Sequence, residues 1–337
     1  METVTPRPRP TISDVAVAAG VSSATVSRVL NGGHWVSEKA RAAVEEAVRS
    51  TGYTANHSAR SLVTGKANSF AFLLAEDTAL LFSDPTFSNL LRGATQALAR
   101  RSMTLVLLVA GSEPERDSAR RYLASGHVDG VMLISSHESD RLIETLTAAG
   151  VPTVVCGVPL GREAEAAWVA VDEAGSAKEM VRYLRSRGHR RIALLAGPQD
   201  TSGGLFRLQG FREEMGPDFD PDLVEIGDWG LRSGVAGMSR ILARGKPVDA
   251  VFAASDAMAA GAIRALRQAG LRVPDDVAVA GFDDSGLAAE LDPQLTTMRQ
   301  PWADLSEQMV TLLCELTSGE TPRHVTLPTT LVVRDSA

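Results

Sequence analysis

The sequence has few of the features that mark secreted, membrane or metal-binding proteins. Its 337 residues include only two cysteines, Cys156 and Cys314. They lie far apart and without a histidine at ligand spacing, so we expect neither a disulfide scaffold nor a metal site. No apolar run reaches the roughly 18 residues that a membrane-spanning helix needs. The first ten residues lack the apolar segment of a secretory signal, which predicts a cytoplasmic protein that does not contact a membrane.

Common catalytic motifs are also missing. The sequence contains no P-loop, no G-x-G-x-x-G after a strand and no G-x-S-x-G elbow. His189, in RGHRR, stands where a helix ends before a strand, and we interpret it as a capping or packing residue rather than a base. We therefore expect no catalytic residues and no cofactor.

Composition and charge indicate a globular protein of two or three domains. The chain is 44% hydrophobic and 22% charged, with a net charge of -7. The first 66 residues carry eight Lys and Arg against five Asp and Glu, so this part is basic and the remainder is acidic. A basic segment on an acidic body suits a protein whose first segment approaches phosphate groups, although a solvated surface would give the same excess.

Residues 12–31 predict two short helices joined by a tight turn at Gly20. Ser22 is a plausible N-cap of the second helix, and a third helix is expected from Ser37 to Thr51. Two apolar faces repeat with helical spacing, the first with Ile12, Val15, Ala16 and Ala19 and the second with Val26, Val29 and Leu30. This spacing predicts an all-α helix-turn-helix domain, with a structural helical hairpin as the alternative.

The second helix would present a short-chain polar surface. Ser23, Ala24, Thr25, Ser27 and Arg28 fall outside its apolar face. Small groups allow close approach to a major groove, and arginine is the side chain best suited to guanine. The surface therefore indicates DNA reading.

Two sequence runs, TISDVAVAAGVSSATVSRVLNG and VSEKARAAVEEAVRSTGYTANHSARSL, resemble the DNA-binding head of the lactose/galactose repressor family. The resemblance implies a hinge helix over residues 56–63 that forms on operator DNA and inserts Leu62 into the minor groove. Ser23, Ala24 and Arg28 would read bases, whereas several neighbours would hold phosphates. The implied DNA-binding residues are Thr11, Ser22, Ser23, Ala24, Thr25, Ser27, Arg28, Asn31, Asn56, Arg60 and Leu62.

From residue 69 onward, buried strand patterns alternate with amphipathic helical patterns. The strand-like runs are SFAFLLA, MTLVLLVA, VDGVMLIS, VPTVVCG, AAWVAVD, RRIALLAG, DAVFAAS and VAVAGFDD. Helices are expected between them, for example at 174–187 and 256–269. Apolar strands alternating with helices predict two α/β lobes, each with a parallel sheet.

The family resemblance continues through FRLQGF, AASDAMAAGAIRAL, VPDDVAVAGFDD and LTTMRQP. It implies a periplasmic-binding-protein-like effector and dimerisation domain over residues 67–337, after a head and hinge over 1–66. Lobe one would comprise 68–157 and 298–322, and lobe two 162–295 and 323–335, with crossovers near Gly157, Leu295 and Arg323.

A ligand of such a fold lies beyond the carboxyl ends of the strands, between the lobes. The effector-binding residues that the resemblance and the strand ends indicate are Asp77, Phe87, Arg207, Trp229, Ser255, Asp256 and Asp283. Arginine, carboxylate and aromatic groups suit a mono- or oligosaccharide. Gly157 stands where several members of the resembled family have a polar or charged residue, and Thr201 and Gly203 lie in stretches where nucleobase-binding members have contacts, so a purine is less favoured than a sugar.

These features together predict a homodimeric transcriptional repressor that binds a near-palindromic operator and responds allosterically to a small molecule. A solute-binding protein would share the body but not the head. An enzyme on the same two-lobed fold is the other alternative, and removal of residues 1–66 would leave its activity intact.

Overall fold

The computed structural model describes residues 10–30, 36–53 and 66–337. The chain divides into two units between Ala67 and Asn68, one residue beyond the boundary expected from the sequence. The hinge segment expected over residues 56–63 lies outside the described residues.

The first unit contains three helices, α1 (Ile12–Ala19), α2 (Ser23–Leu30) and α3 (Glu38–Thr51). Thr11 caps α1 through a reciprocal pair: its backbone N–H donates to Asp14 Oδ2 at 2.7 Å, and its hydroxyl accepts from the Asp14 N–H at 3.4 Å. Gly20 ends α1 at φ +63°, a conformation that glycine adopts without strain. The cap and the glycine together fix the length of α1 at eight residues.

The helix that follows begins as the sequence predicts. The Ser22 hydroxyl accepts a hydrogen bond from the backbone N–H of Thr25 at 3.2 Å, and the Ser37 hydroxyl caps α3 in the same way at Ala40. The three helices enclose a small core of short side chains, which comprises Val15, Ala16, Val26, Val29, Val44 and Ala47. Because every member is small, the helices pack closely.

The second unit contains two six-stranded sheets. The first consists of β1 (Ser69–Leu74), β2 (Thr104–Val109), β3 (Gly130–Ile134), β4 (Thr153–Cys156), β5 (Ala167–Val171) and a late strand, His324–Leu327. The second consists of β6 (Ile192–Ala196), β7 (Val224–Ile226), β8 (Ala250–Ala253), β9 (Ala278–Asp283), β10 (Thr296–Arg299) and Thr330–Val332. The two late strands are β11 (His324–Leu327) and β12 (Thr330–Val332).

The strand order is β11-β5-β4-β3-β1-β2 in the first sheet and β12-β10-β9-β8-β6-β7 in the second. The strands of the first sheet run parallel, and in the second only β12 is antiparallel, to β10. The helices are α4 (Thr78–Ser83), α5 (Pro85–Arg100), α6 (Glu113–Ala124), α7 (Leu142–Ala148), α8 (Glu173–Ser186), α9 (Ser202–Met215), α10 (Leu231–Ala243), α11 (Asp256–Gln268), α12 (Leu287–Glu290) and α13 (Trp302–Thr317).

Helices cover both faces of each sheet, which explains why the central strands, such as β1, β3, β6 and β8, are almost entirely apolar. In β1, Phe70 and Phe72 pack toward α5 and α13, whereas Ala71 and Leu73 pack toward α6 and α7. The second sheet packs between α8 and α9 on one face and α10 and α11 on the other.

The expected lobe boundaries need correction. β5 pairs with β4, and β11 pairs with β5, so residues 167–171 and 324–327 belong to lobe one rather than lobe two. The chain therefore crosses between lobes after Val171, after Arg299 and between Leu327 and Thr330. The sequence could not place these crossings, because a buried strand has the same apolar pattern in either sheet.

Candidate functional site

A cavity of about 150 Å³ lies between the two lobes of the second unit. It lies beyond the carboxyl ends of strands in both sheets, where ligands of open α/β folds bind, and its walls come from those strand ends and from the helices and loops that follow them. Lobe one contributes Asp84, Phe87, Ser135, Cys156, Val171 and Trp302 among others, and lobe two contributes Glu173, Thr201, Arg207, Trp229, Ser255 and Asp283.

Arg207 is the central cation of the cavity wall. It lies in the middle of α9 and is only 5% exposed. Its Nε donates to Glu173 Oε2 at 2.6 Å, and its Nη1 donates to the backbone oxygen of Ala254 at 2.5 Å. The guanidinium also lies 3.5 Å from the centroid of the Phe282 ring. These contacts hold the guanidinium in one orientation. Burial acts to lower the pKa of Arg207, but the neighbouring carboxylates outweigh it and raise the pKa above its usual range.

Asp283 lies beside Arg207 at the end of β9. One of its carboxylate oxygens is 3.6 Å from Arg207 Nη1 and accepts a hydrogen bond from Gln300 Nε2 at 2.8 Å. Burial raises the pKa of the carboxyl well above its usual value, and the Arg207 charge acts in the opposite direction. Asp283 has φ +119°, an uncommon backbone conformation for a residue with a side chain, and one that often marks functional positions.

Trp229 forms an aromatic part of the cavity wall, and its ring packs directly against the backbone at Gly197. A Cβ at position 197 would lie 2.2 Å from the indole of Trp229, so glycine is required there for the ring to pack. The ring centroid is 5.3 Å from the Arg207 guanidinium carbon. Ser255 donates its hydroxyl hydrogen to the Trp229 backbone oxygen at 2.8 Å and caps α11 through the Met258 N–H. Gly197 therefore leaves room for the ring, and Ser255 holds the backbone that carries it.

Lobe one contributes the opposite wall. Phe87, near the start of α5, is buried, and Asp84 caps the same helix by accepting the Thr86 N–H at 2.9 Å. Burial raises the pKa of Asp84. Trp302, at the start of α13, lines the cavity, and its buried Nε1 has no hydrogen-bond partner within the described part of the chain.

Five of the seven residues expected at the effector site line this cavity, namely Phe87, Arg207, Trp229, Ser255 and Asp283. Asp256 and Asp77 do not. Asp256 is buried behind the wall, where it accepts a hydrogen bond from the Thr297 hydroxyl at 2.6 Å and burial raises its pKa to about 7. As the first residue of α11 it turns back toward the sheet, while Asp77 is an exposed residue that precedes α4.

The sequence reasoning missed several polar or aromatic wall residues, among them Asp84, Glu173, Gln300 and Trp302. Glu173 follows β5 and Gln300 follows β10, so the same strand-end rule could have indicated them. Asp84 carries an N-cap signal, Asp before Pro and Thr, which by itself indicates structure rather than binding.

The two lobes also make polar contact beside the cavity, at His137. Its Nε2 is 2.8 Å from Glu76 Oε1 within lobe one, and its Nδ1 is 2.8 Å from Asp200 Oδ2 in lobe two. The Glu138 backbone N–H donates to the Asp200 backbone oxygen at 2.8 Å. Hydrogen bonds to Glu76, and then to Asp200, raise the pKa of His137 to about 9, so the ring is a cation at neutral pH.

In the first unit, α2 presents an exposed surface at Ser22, Ser23, Ala24 and Arg28. Thr25 and Ser27 are half-buried, and Thr11 is engaged in capping α1. The Ser22 and Thr25 hydroxyls lie 2.9 Å apart. The other expected DNA-binding residues, Asn31, Asn56, Arg60 and Leu62, lie outside the described residues.

Within residues 10–30, 36–53 and 66–337, no group of three or more His, Cys, Asp or Glu side chains is arranged to hold a metal ion. No helix in these ranges has the length and apolar character required to span a membrane.

Two family models match the chain. The one for bacterial regulatory proteins of the lacI family matches residues 11–56, and the one for a periplasmic binding protein-like domain matches residues 181–337. The chain is 44% identical over 336 residues to the HTH-type transcriptional regulator CelR of Thermobifida fusca, covering 98% of this chain and 99% of CelR. It is 35% identical over 312 residues to the ribose operon repressor of Escherichia coli (strain K12), covering 90% of this chain and 92% of the repressor.

Solved structures give the same result. A complex of the transcriptional regulator CelR with cellobiose superposes with a TM-score of 0.78 at 42% identity, over 98% of this chain and 100% of that one. The lac repressor dimer bound to operator and the anti-inducer ONPF superposes with a TM-score of 0.86 at 28% identity, over 98% and 99% of the chains. With such identity over almost its whole length, the chain belongs to the LacI family of bacterial regulatory proteins and is a DNA-binding transcriptional regulator, not an enzyme.

Proposed function

We propose that this regulator is a cytoplasmic, homodimeric repressor whose affinity for a near-palindromic operator changes when a sugar binds between its lobes. In this proposal residues 1–66 form the DNA-binding head and hinge, and residues 67–337 bind the effector and dimerise. A dimer matches the two-fold symmetry of such an operator. The solved lac repressor relative is a dimer on its operator, which supports this assembly.

The cavity wall is the observation that carries the sugar assignment. The Trp229 indole is fixed beside the Arg207 guanidinium, and Asp283 lies 3.6 Å from the same arginine. Phe87 and Trp302 face the cavity from the other lobe. Aromatic faces contact the C–H surface of a pyranose, and the fixed charged groups bond its hydroxyls directionally. A CelR structure holds cellobiose, so cellobiose is the first sugar to test.

The DNA-binding surface in this proposal is the exposed side of α2. Ser23, Ala24 and Arg28 contact base edges, and Ser22, Thr25 and Ser27 contact phosphates or support the helix. The hinge residues expected at Asn56, Arg60 and Leu62 complete the contact. Ligand binding and DNA binding are thermodynamically linked. The factor by which the sugar changes the affinity for the operator equals the factor by which the operator changes the affinity for the sugar.

The test combines two measurements on the full chain. Titration with mono- and disaccharides, starting with cellobiose, is followed by tryptophan fluorescence, because Trp229 and Trp302 both line the cavity. Operator binding is then measured with and without the sugar that responds. Replacing Trp229 by Leu should weaken sugar binding at least tenfold. Trp168→Leu is the matched control, since Trp168 stacks on His324 away from the cavity at 4.6 Å between centroids.

A sugar that binds the wild type and Trp168→Leu equally, and Trp229→Leu weakly, supports the cleft as the effector site. Equal weakening in both variants would place the sugar elsewhere. Sugar binding that leaves the operator affinity unchanged would reject the allosteric part of the proposal.

A further inference from the structure

The charged groups of the cavity are unbalanced in number. Among the described residues that line it there are three carboxyl groups, Asp84, Glu173 and Asp283, and one cationic group, Arg207. The wall therefore offers a bound anion a single positive partner and up to three repulsive ones.

That single cation is already neutralised by protein groups. Arg207 donates to Glu173 at 2.6 Å and to the Ala254 backbone oxygen at 2.5 Å, with Asp283 at 3.6 Å. Its guanidinium lies against the Phe282 ring, so one of its faces is covered. A phosphate or carboxylate would have to displace Glu173, which is itself nearly buried, with a side chain 11% exposed. Leaving a buried carboxylate without its partner is costly.

Protonation of the buried acids does not give the side chains of the wall a net positive charge. Burial raises the pKa of Asp283 and of Asp84, which reduces the negative charge of the wall. Glu173 and Arg207 nevertheless cancel each other, so the side chains of the wall leave no surplus positive charge for an anion. Carboxylates are hydrogen-bond acceptors, and a sugar hydroxyl donates to them, whereas the ionised group of a sugar phosphate or a uronate offers only acceptors in place of that hydroxyl.

We propose that this cavity is selective for uncharged, hydroxyl-rich ligands and excludes anionic sugars such as sugar phosphates and uronates. This inference rests on the proposed function, that a sugar is the effector, and assigns Glu173 as its specificity-determining residue. Glu173 forms an ion pair with Arg207, the arginine that would otherwise be available to bind an anion.

The test compares ligands that differ in charge and little else. Cellobiose, cellobiouronic acid, in which one hydroxymethyl group is a carboxylate, and the methyl ester of that acid are titrated into the full-length protein by calorimetry at pH 7.5. The uronate should bind at least a hundredfold more weakly than cellobiose, and the uncharged ester should recover most of the loss. If another uncharged sugar binds in place of cellobiose, its own uronate and ester are used.

Two variants locate the effect. Glu173→Gln removes the charge while keeping the shape, and should reduce the preference for the uncharged sugar at least tenfold. Asp84→Asn retains an N-cap acceptor for α5 and should reduce the preference less, because Asp84 interacts with Arg207 through its charge and not, as Glu173 does, through a 2.6 Å ion pair. Glu213→Gln is the control, since this exposed glutamate pairs with Lys178 on the outer surface at 2.6 Å.

Each result decides the inference. Equal affinity of the wild type for the sugar and its uronate, or rejection of the ester as strongly as the acid, overturns charge selection while the sugar response stands. An unchanged preference in a folded Glu173→Gln variant rejects the role of Glu173. Failure of every uncharged sugar to bind overturns both this inference and the proposed function.

Discussion

The contact between lobes at His137 should make stability depend on pH in a definite direction. The pKa of His137 is about 9 in the folded protein and 6.5 for an ordinary histidine, so folding favours the protonated ring. The stabilisation is therefore fully present below about pH 6.5 and is lost as the pH rises through about 9. The charged groups around the ring are Glu76 and Asp200, with Arg116 acting on Glu76.

The magnitude follows from the same values. A pKa displaced from 6.5 to about 9 corresponds to about 3.4 kcal/mol, at about 1.36 kcal/mol per pH unit. The side chain of His137 is 25% exposed and that of Asp200 is 49% exposed, so solvent screens part of the interaction. We expect about 1–2 kcal/mol to remain.

Urea unfolding of the wild type and of His137→Gln, from pH 6 to pH 10, measures this contribution as the difference between the two free energies. Glutamine keeps hydrogen-bonding groups but carries no charge. The difference should be about 1–2 kcal/mol at pH 6–7 and should fall toward zero above pH 9. His189→Gln, a histidine 3.8 Å from Asp249 and remote from the cavity, controls for loss of an imidazole. A difference that stays constant across this range would refute the reasoning.

Three further substitutions test the head and the cavity wall. Arg28→Ala should weaken operator binding about 10–100-fold in a gel-shift assay, the effect of one bidentate base contact, whereas Arg49→Ala, on exposed α3, should change it little. Thr11→Ala removes the cap shared with Asp14 and should lower the protection of α1 amides in hydrogen exchange by about 1 kcal/mol. Gly197→Ala places a Cβ 2.2 Å from the Trp229 ring and should weaken sugar binding at least tenfold, measured by fluorescence.

The secondary structure of the head followed directly from local signals. The cap at Ser22, the break at Gly20 and the apolar spacing of the helices depend on residues close in the sequence. Eight strands of the body, β1 to β6, β8 and β9, were equally clear, because helices cover both faces of each sheet and these strands are mostly apolar. The strands β7, β10 and β11 are three or four residues long and contain polar side chains, and the sequence pattern did not indicate them. Assignment of strands to lobes was wrong where pairing is non-local, as at β5 and β11.

In the candidate site, too, residues with a local sequence signal were predicted, whereas contacts that depend on packing between distant segments were not. Arg207, Trp229 and Asp283 were indicated by their motifs, and the structure brings them together at the cavity wall. The interpretation of Asp256 as a wall residue was wrong, because one turn of backbone decides whether a helix-start carboxylate faces the cleft or the sheet. The pairing of Arg207 with Glu173, 34 positions away, depends on the packing of α8 against α9 and has no local signature.

The order in which the lobes are threaded has a consequence for synthesis. β1 to β5 leave the ribosome early, yet α13 and β11, which complete lobe one, follow only after most of the second lobe, about 130 residues later. At about 5–20 residues per second, the nascent first lobe waits on the order of ten seconds with the surface beneath α13 bare. That surface includes Phe70 and Phe72. During this interval the growing chain should be a good client for a holdase chaperone and most exposed to aggregation.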